Sequence, residues 1–126
     1  MAILAYLRVS TDKQTTENQR KLLDRSGHKI KKFYEDCGVT SDKDMLPREG
    51  LQKLLSEVMA GDTVLVSNVS ILSRSIEEVF EFVQKMKELG VSVKSRDIDY
   101  IDLTTAKGMT LLRIAKCRAF ADEGIQ

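Results

Sequence analysis

A chain of 126 residues, 42% of them hydrophobic, can bury one sizeable core, and it holds no apolar run near the roughly 20 residues of a membrane-spanning helix. The N-terminus lacks the basic-then-apolar layout of a signal peptide, so a cytoplasmic protein with no membrane partner is expected. A net charge of +1 supplies no global basic field, and contact with nucleic acid would have to come from a local patch.

The first predicted element is a strand over Ala2 to Leu7, which runs into the polar stretch Arg8-Val9-Ser10-Thr11. Tyr6, Arg8 and Ser10 share one parity, so a phenol, a guanidinium and a hydroxyl line one side of the strand end, where open α/β sheets bind ligands. Ser10 or Thr11 can equally be a helix N-cap, with Thr11 and Gln14, then Thr16 and Gln19, each fitting a capping box. Thr11 to Arg25 reads as a surface helix ending near Gly27. His28 to Tyr34 roughly alternates, as a short strand does; Lys29, Lys31 and Lys32 suit either a solvated sheet edge or a DNA patch. Glu35 to Pro47 shows no periodicity and reads as a loop, which places Asp36 just after the second strand.

From Arg48, the residues Leu51, Leu54, Leu55, Val58 and Met59 recur at helical spacing as far as Gly61-Asp62. Thr63 to Ser67 is continuous and β-branched, the pattern of a buried strand in a parallel sheet. Asn68 to Arg74 links it to a helix with a capping box at Ser75 and Glu78, an apolar stripe from Ile76 to Leu89, and a stop at Gly90. Val91 to Val93 gives a fourth strand, Lys94 to Leu103 a charged loop, and Thr104 onward a last helix with Met109, Leu112, Ala115 and Ala119 on one side. This alternation predicts a single α/β domain over residues 1–126: three layers, with a mostly parallel sheet of four to five strands flanked by helices.

Cys37 and Cys117 are far apart, with no CxxC, and read as buried thiols rather than a disulfide framework; His28 is the only histidine, so no multi-histidine metal site is indicated. His28 stands at the start of the second strand, at the edge of the sheet opposite Ser10, which argues against a Ser-His-Asp triad. No glycine-rich phosphate loop supports a nucleotide cofactor. What gathers at the carboxyl edge is Arg8, Ser10, Asp36 and the stretch ending in Arg74, with Arg48 able to fold back to it. A serine among arginines suits phosphoryl transfer, because guanidinium forks match phosphate oxygens and stabilise the charge that develops on them.

Four stretches in order, Tyr6-Leu7-Arg8-Val9-Ser10-Thr11 with Gln14 and Gln19, Tyr34-Glu35-Asp36, Pro47-Arg48-Glu49-Gly50-Leu51-Gln52, and Leu72-Ser73-Arg74-Ser75, resemble the catalytic domain of the serine recombinases, the resolvase/invertase family. The resemblance covers nearly all of the chain. It implies a resolvase-like fold with a C-terminal helix for dimerisation, and site-specific DNA recombination that needs neither metal nor nucleotide. In that family the serine matching Ser10 attacks a DNA phosphodiester, leaving a 5′-phosphoserine link and a free 3′-hydroxyl, and the ends exchange within a synaptic tetramer before rejoining. Carried over, Ser10 is the nucleophile and Arg8, Arg48 and Arg74 bind the scissile phosphate. Gln14, Gln19 and Asp36 are supporting polar residues, and Tyr6 shapes the pocket. The partners implied are DNA at a crossover site and further copies of the chain, as homodimer and tetramer.

The chain departs from the family where an Asp-Arg pair normally precedes the Leu-Ser/Gly-Arg stretch, since Ser70-Ile71 stands there. Loss of one phosphate clamp is expected to cost on the order of 10²–10³ in rate, by analogy with an oxyanion donor. On this reading Ile71 is exposed, and restoring the pair by Ser70→Asp with Ile71→Arg leaves the melting temperature little changed. Family members also continue into an extension and a helix-turn-helix domain, whereas this sequence ends at Gln126, as a piece cut at a domain boundary or a short relative. Two functions from different classes therefore compete: a recombinase acting through Ser10, and a degenerate recombinase-like domain acting as a DNA-associated regulatory or dimerisation module. A plain flavodoxin-like domain would require the arginine, serine and aspartate set to be coincidence.

Overall fold

The structure, a computed structural model, describes residues 2–9, 13–25, 27–37, 48–73 and 75–114. Strands β1 (Ile3–Val9), β2 (Ile30–Cys37), β3 (Thr63–Val66) and β4 (Ser92–Ser95) form one sheet in the order β2-β1-β3-β4, and every neighbouring pair is parallel. Three helices carry the crossovers: α1 (Lys13–Asp24), α2 (Glu49–Glu57) and α3 (Ile76–Glu88). A fourth, α4, occupies 106–114 of the described residues. The expected fold is the observed one. Among the described residues, a single antiparallel bridge, Lys94 to Asp102, extends the sheet beyond β4.

The two faces of the sheet are covered unequally. Alternate residues of a strand point to opposite faces, and β1 divides accordingly: Ala5 and Leu7 meet Leu23 of α1 and Leu65, whereas Leu4 and Tyr6 join the larger core with α2, α3 and Leu112 of α4. The helix after β1 thus lies on one face and the helix after β3 on the other. That divergence puts the switch point of the sheet between β1 and β3, at whose carboxyl ends open α/β sheets bind ligands. Val64, Leu65 and Val66 are fully buried, as a central parallel strand requires.

Local signals set the helix ends. Ser75 caps α3, its hydroxyl accepting from the Glu78 amide, with Glu77 and Glu78 in the first turn and Lys85 and Lys87 in the last, complementing the helix dipole. Thr105 caps α4, its hydroxyl accepting from the Gly108 amide, and Asp102 braces the turn before it by accepting from both the amide and the hydroxyl of Thr104. Gly108 then lies so close to the strand-side chain that an added Cβ would stand 2.0 Å from the Asp102 carbonyl oxygen.

Strand β2 lies later than its sequence suggests. Glu35 and Asp36 look like loop residues, yet they pair with Leu7 and Arg8 of β1, one rung short of the end of the ladder at Val9 and Cys37. Asp36 is therefore within the strand, not after it. Its carboxylate is satisfied by tertiary partners, which a pattern of polar residues cannot reveal. As the edge strand, β2 carries Lys29, Lys31 and Lys32 exposed at its start, with Lys32 paired to Glu57 at 2.8 Å. His28 precedes β2 at its amino end, half-buried, its ring 4.9 Å from that of Tyr100. None of the described helices is long and apolar enough to cross a membrane.

Candidate active site

At the carboxyl edge, two arginines from distant parts of the chain meet on one main-chain oxygen. Arg8, near the end of β1, donates through Nε to the Ile71 carbonyl at 2.9 Å, and Arg48, just before α2, donates to the same oxygen through Nη1 at 3.0 Å. Arg48 is 4% exposed and its Nη1 also lies 3.5 Å from the Tyr6 hydroxyl. Tyr6 donates in turn to Asp36 at 2.7 Å. Burial, and then the bond to the Asp36 carboxylate, push the Tyr6 phenol well above its ordinary value, so it stays a neutral donor across the working pH range.

Asp36 explains how Arg48 comes to lie there. Its two carboxylate oxygens accept from the amides of Gly50 and Leu51 at 2.8 and 3.1 Å, the second and third residues of α2. Those are the orphan donors that an N-cap side chain normally satisfies. Arg48 occupies the N-cap position without making a side-chain cap, so a carboxylate from β2 does that work while the guanidinium reaches the Ile71 carbonyl and the Tyr6 hydroxyl. Gly50 is required by this approach, because a Cβ would stand 2.3 Å from the Glu35 carbonyl oxygen and 2.9 Å from Asp36. The Arg48-Glu49-Gly50-Leu51 stretch thus combines a functional guanidinium with the space needed to hold it.

Gln19 of α1 donates to the Arg8 carbonyl at 3.2 Å, tying the helix to the end of β1. Its Oε1, and the hydroxyl of Ser67 at the end of β3, are buried without a hydrogen-bond partner among the described residues. Of the residues singled out from sequence, Tyr6, Arg8, Gln19, Asp36 and Arg48 form one connected group. Ser10, Thr11, Arg74, the loop 38–47, Ala115, Ala119 and Cys117 lie outside the described residues, as do the side chains of Gln14 and Cys37.

One expectation needs correcting. Ile71 is not exposed: it is 3% exposed and belongs to the main core, because the turn after β3 rolls its side chain under the sheet edge and turns its carbonyl toward the arginines. In α4, Leu112 is fully buried and Met109 rests on the same core, so these two residues of the helix's apolar side pack on the sheet, while Ile114 is exposed. Sequence reasoning also passed over Asn68. Its side chain accepts from the Ile71 amide at 3.2 Å and caps the 3-10 turn Val69–Ile71, a role announced only by an Asn three residues ahead of a short apolar turn.

A four-stranded parallel sheet of order β2-β1-β3-β4, with helices on both faces and two arginines meeting beside its switch point, defines an open-sheet α/β domain. The profile of the resolvase N-terminal domain family matches residues 3–123, and the chain belongs to that family. It is 31% identical over 114 residues to the serine recombinase PinR of Escherichia coli, covering 89% of this chain and 58% of that protein. It is 30% identical over 100 residues to a resolvase of Clostridium perfringens, covering 79% of this chain and 51% of that one. The chain thus spans a little over half the length of these relatives. The N-terminal catalytic domain of TP901-1 integrase has the same fold, with a TM-score of 0.74, 27% identity and complete coverage of both chains.

Proposed function

We propose that this chain is the strand-cleaving domain of a site-specific DNA recombinase, with Ser10 as nucleophile and Arg8, Arg48 and Arg74 as the clamp on the scissile phosphate. The observation that carries the reading is the convergence of Arg8 and Arg48 on one oxygen at the end of β1, the strand that Ser10 follows directly in sequence. The Ser10 oxygen attacks phosphorus and the bond to the 3′ oxygen breaks. In net, the serine proton passes to that 3′ oxygen, giving a 5′-phosphoserine and a free 3′-hydroxyl. The phosphodiester energy is kept in the covalent link, so rejoining by the reverse step requires no cofactor. The arginines offset the negative charge that gathers on the non-bridging oxygens in the transition state. The neutral Tyr6 phenol and the Asp36 cap hold Arg48, Gln19 supports the strand end, and Gln14 is assigned a supporting polar role by family resemblance alone. Assembly as a homodimer, and as a tetramer in synapsis, belongs to the same proposal.

A second reading is favoured by one observation, the buried isoleucine where the family pattern has arginine: the domain binds DNA or its partner without cutting. Duplexes of randomised sequence, each nicked near its centre so that the cleaved end diffuses away, separate the two. The recombinase reading expects an SDS-resistant protein–DNA adduct from the unaltered chain and none from Ser10→Ala. An adduct that survives Ser10→Ala removes the serine from its role, and duplex binding without any adduct supports the binding module.

A further inference from the structure

Two guanidiniums of like charge do not converge unaided, and in this chain both donate to a single main-chain carbonyl. The Ile71 oxygen has two lone pairs, one taken by Arg8 Nε and the other by Arg48 Nη1. That oxygen belongs to a 3-10 turn of only three residues, which carries little rigidity of its own. Three contacts hold the turn. The Ile71 side chain is sunk in the core. The Asn68 side chain accepts from the Ile71 amide at 3.2 Å, supplementing a longer main-chain contact of 3.4 Å from that amide to the Asn68 carbonyl. The Val69 amide points to Asp97 at 3.4 Å, and Asp97 also accepts from Ser95 at the end of β4. The amide and the carbonyl of Ile71 are therefore fixed from opposite sides, the first by Asn68 and the second by the arginines.

We propose that Asn68 is a positioning residue for the Arg8 and Arg48 pair: by fixing the Ile71 peptide it aims both guanidiniums at the phosphodiester. The proposal rests on the DNA-cleaving reading for its ligand, but the positioning itself is testable without DNA. A fixed peptide oxygen also suits a chain with isoleucine at this point, since a side chain locked in the core cannot itself reach the phosphate, whereas its backbone can arrange the groups that do.

The experiment uses the unaltered chain, Asn68→Ala, and Asn68→Ser, which retains a capping oxygen. The ¹⁵N-resolved Hε signal of Arg8 reports its bond to Ile71 directly, and the backbone amide spectrum and melting temperature report the fold. The expected result is an Arg8 Hε exchange rate about 3- to 10-fold faster in Asn68→Ala, the weight of one net hydrogen bond, with recovery in Asn68→Ser and little change in the amide spectrum away from the turn. Affinity for a short fluorescein-labelled duplex of mixed sequence is expected to fall by a similar factor in Asn68→Ala and to recover with serine. Should alanine unfold the chain, Asn68→Gly replaces it, because glycine at a cap is far less destabilising than alanine while still lacking the acceptor. Unchanged Arg8 exchange in the variant lacking the acceptor overturns the inference, and so does duplex affinity that ignores residue 68 while Arg8 is released. Failure of the unaltered chain to bind any duplex counts instead against the DNA reading, and the Arg8 signal then decides the positioning alone.

Discussion

At the scale of single residues, the burial of Ile71 reverses what its exposure would have meant. Moving an isoleucine out of a packed core forfeits about 1.5–3 kcal/mol of burial even when the replacement reaches water or a neighbouring site. The double change Ser70→Asp with Ile71→Arg is therefore expected to lower the melting temperature by several degrees and to loosen the arginine pair, whatever it does for phosphate binding. Thermal unfolding followed by circular dichroism checks this, and an unshifted midpoint would show that the turn tolerates losing its anchor. Arg48 is the complementary case. It is a buried cation with defined acceptors, and Arg48→Met leaves Tyr6 and two amides bonded to Asp36 and Arg8 bonded to the Ile71 carbonyl, so the fold is expected to survive at a cost of about 1–3 kcal/mol. Cleavage should fall on the order of 10²–10³, read as adduct formed per unit time on the nicked duplexes. Equal cleavage by Arg48→Met would take it out of the clamp.

At the scale of elements, the join between β2 and α2 is the most specific piece of the architecture. Gly50→Ala places a methyl group against the Glu35 carbonyl and the Asp36 carboxylate, both of which are held, so the strand and helix must separate. The expected cost is about 1–3 kcal/mol, measured by urea denaturation. A wild-type midpoint would mean that the helix start adjusts more freely than its two bonds to Asp36 suggest. This join also shows where sequence reading succeeds and stops. The helical stripe from Leu51 to Val58, the capping box at Ser75 and the unbroken β-branched run of β3 are local patterns, and each reads directly into an element because 3.6 and 2 residue periods leave marks in composition. The ends of β2 leave no such mark. Glu35 and Asp36 are polar, and they belong to a strand only because Arg20 pairs with one at 3.0 Å and Tyr6 donates to the other. The same limit hid the Ile71 carbonyl, since a backbone oxygen has no letter in the sequence, and it hid the inward face of Leu112, which a helical stripe alone cannot assign to core or partner.

At the scale of the whole molecule, two carboxylates stitch the chain where its pieces meet, and they set its response to acid. Asp62 is held below its ordinary value of 3.8 by the amide of Ala2 and then that of Met59, joining the start of β1 to the turn before β3. Asp102 is pushed up by burial, but hydrogen bonds from the Thr104 hydroxyl and amide outweigh this and leave it below 3.8 as well. For a carboxyl whose folded value is depressed, the unfolded chain takes up the proton first. Its stabilisation is therefore complete above the unfolded value and is lost as pH falls through the folded one. Stability is expected to be flat from neutrality down to about pH 5 and to decline below about pH 4, more gently in Asp62→Asn, whose contribution no longer titrates. Urea midpoints collected across that range test the shape, and an identical acid slope in Asp62→Asn would place the titration elsewhere.

The cap that Asp36 lends to α2 has a consequence for how freely the chain can vary. It clamps the two ends of the segment 38–47 from outside, because β2 just before it and the first turn of α2 just after it are bonded to each other. Length in that segment is then almost decoupled from the site: doubling it adds only about 0.6 kcal/mol of closure entropy. Insertions of glycine and serine there should barely shift a denaturation midpoint, whereas the same insertion between Arg48 and Gly50 would separate the guanidinium from its anchor. The sequence between Cys37 and Arg48 is in effect a port, which descendants of this fold can lengthen or rewrite for new contacts while Arg48 stays bonded at its foot.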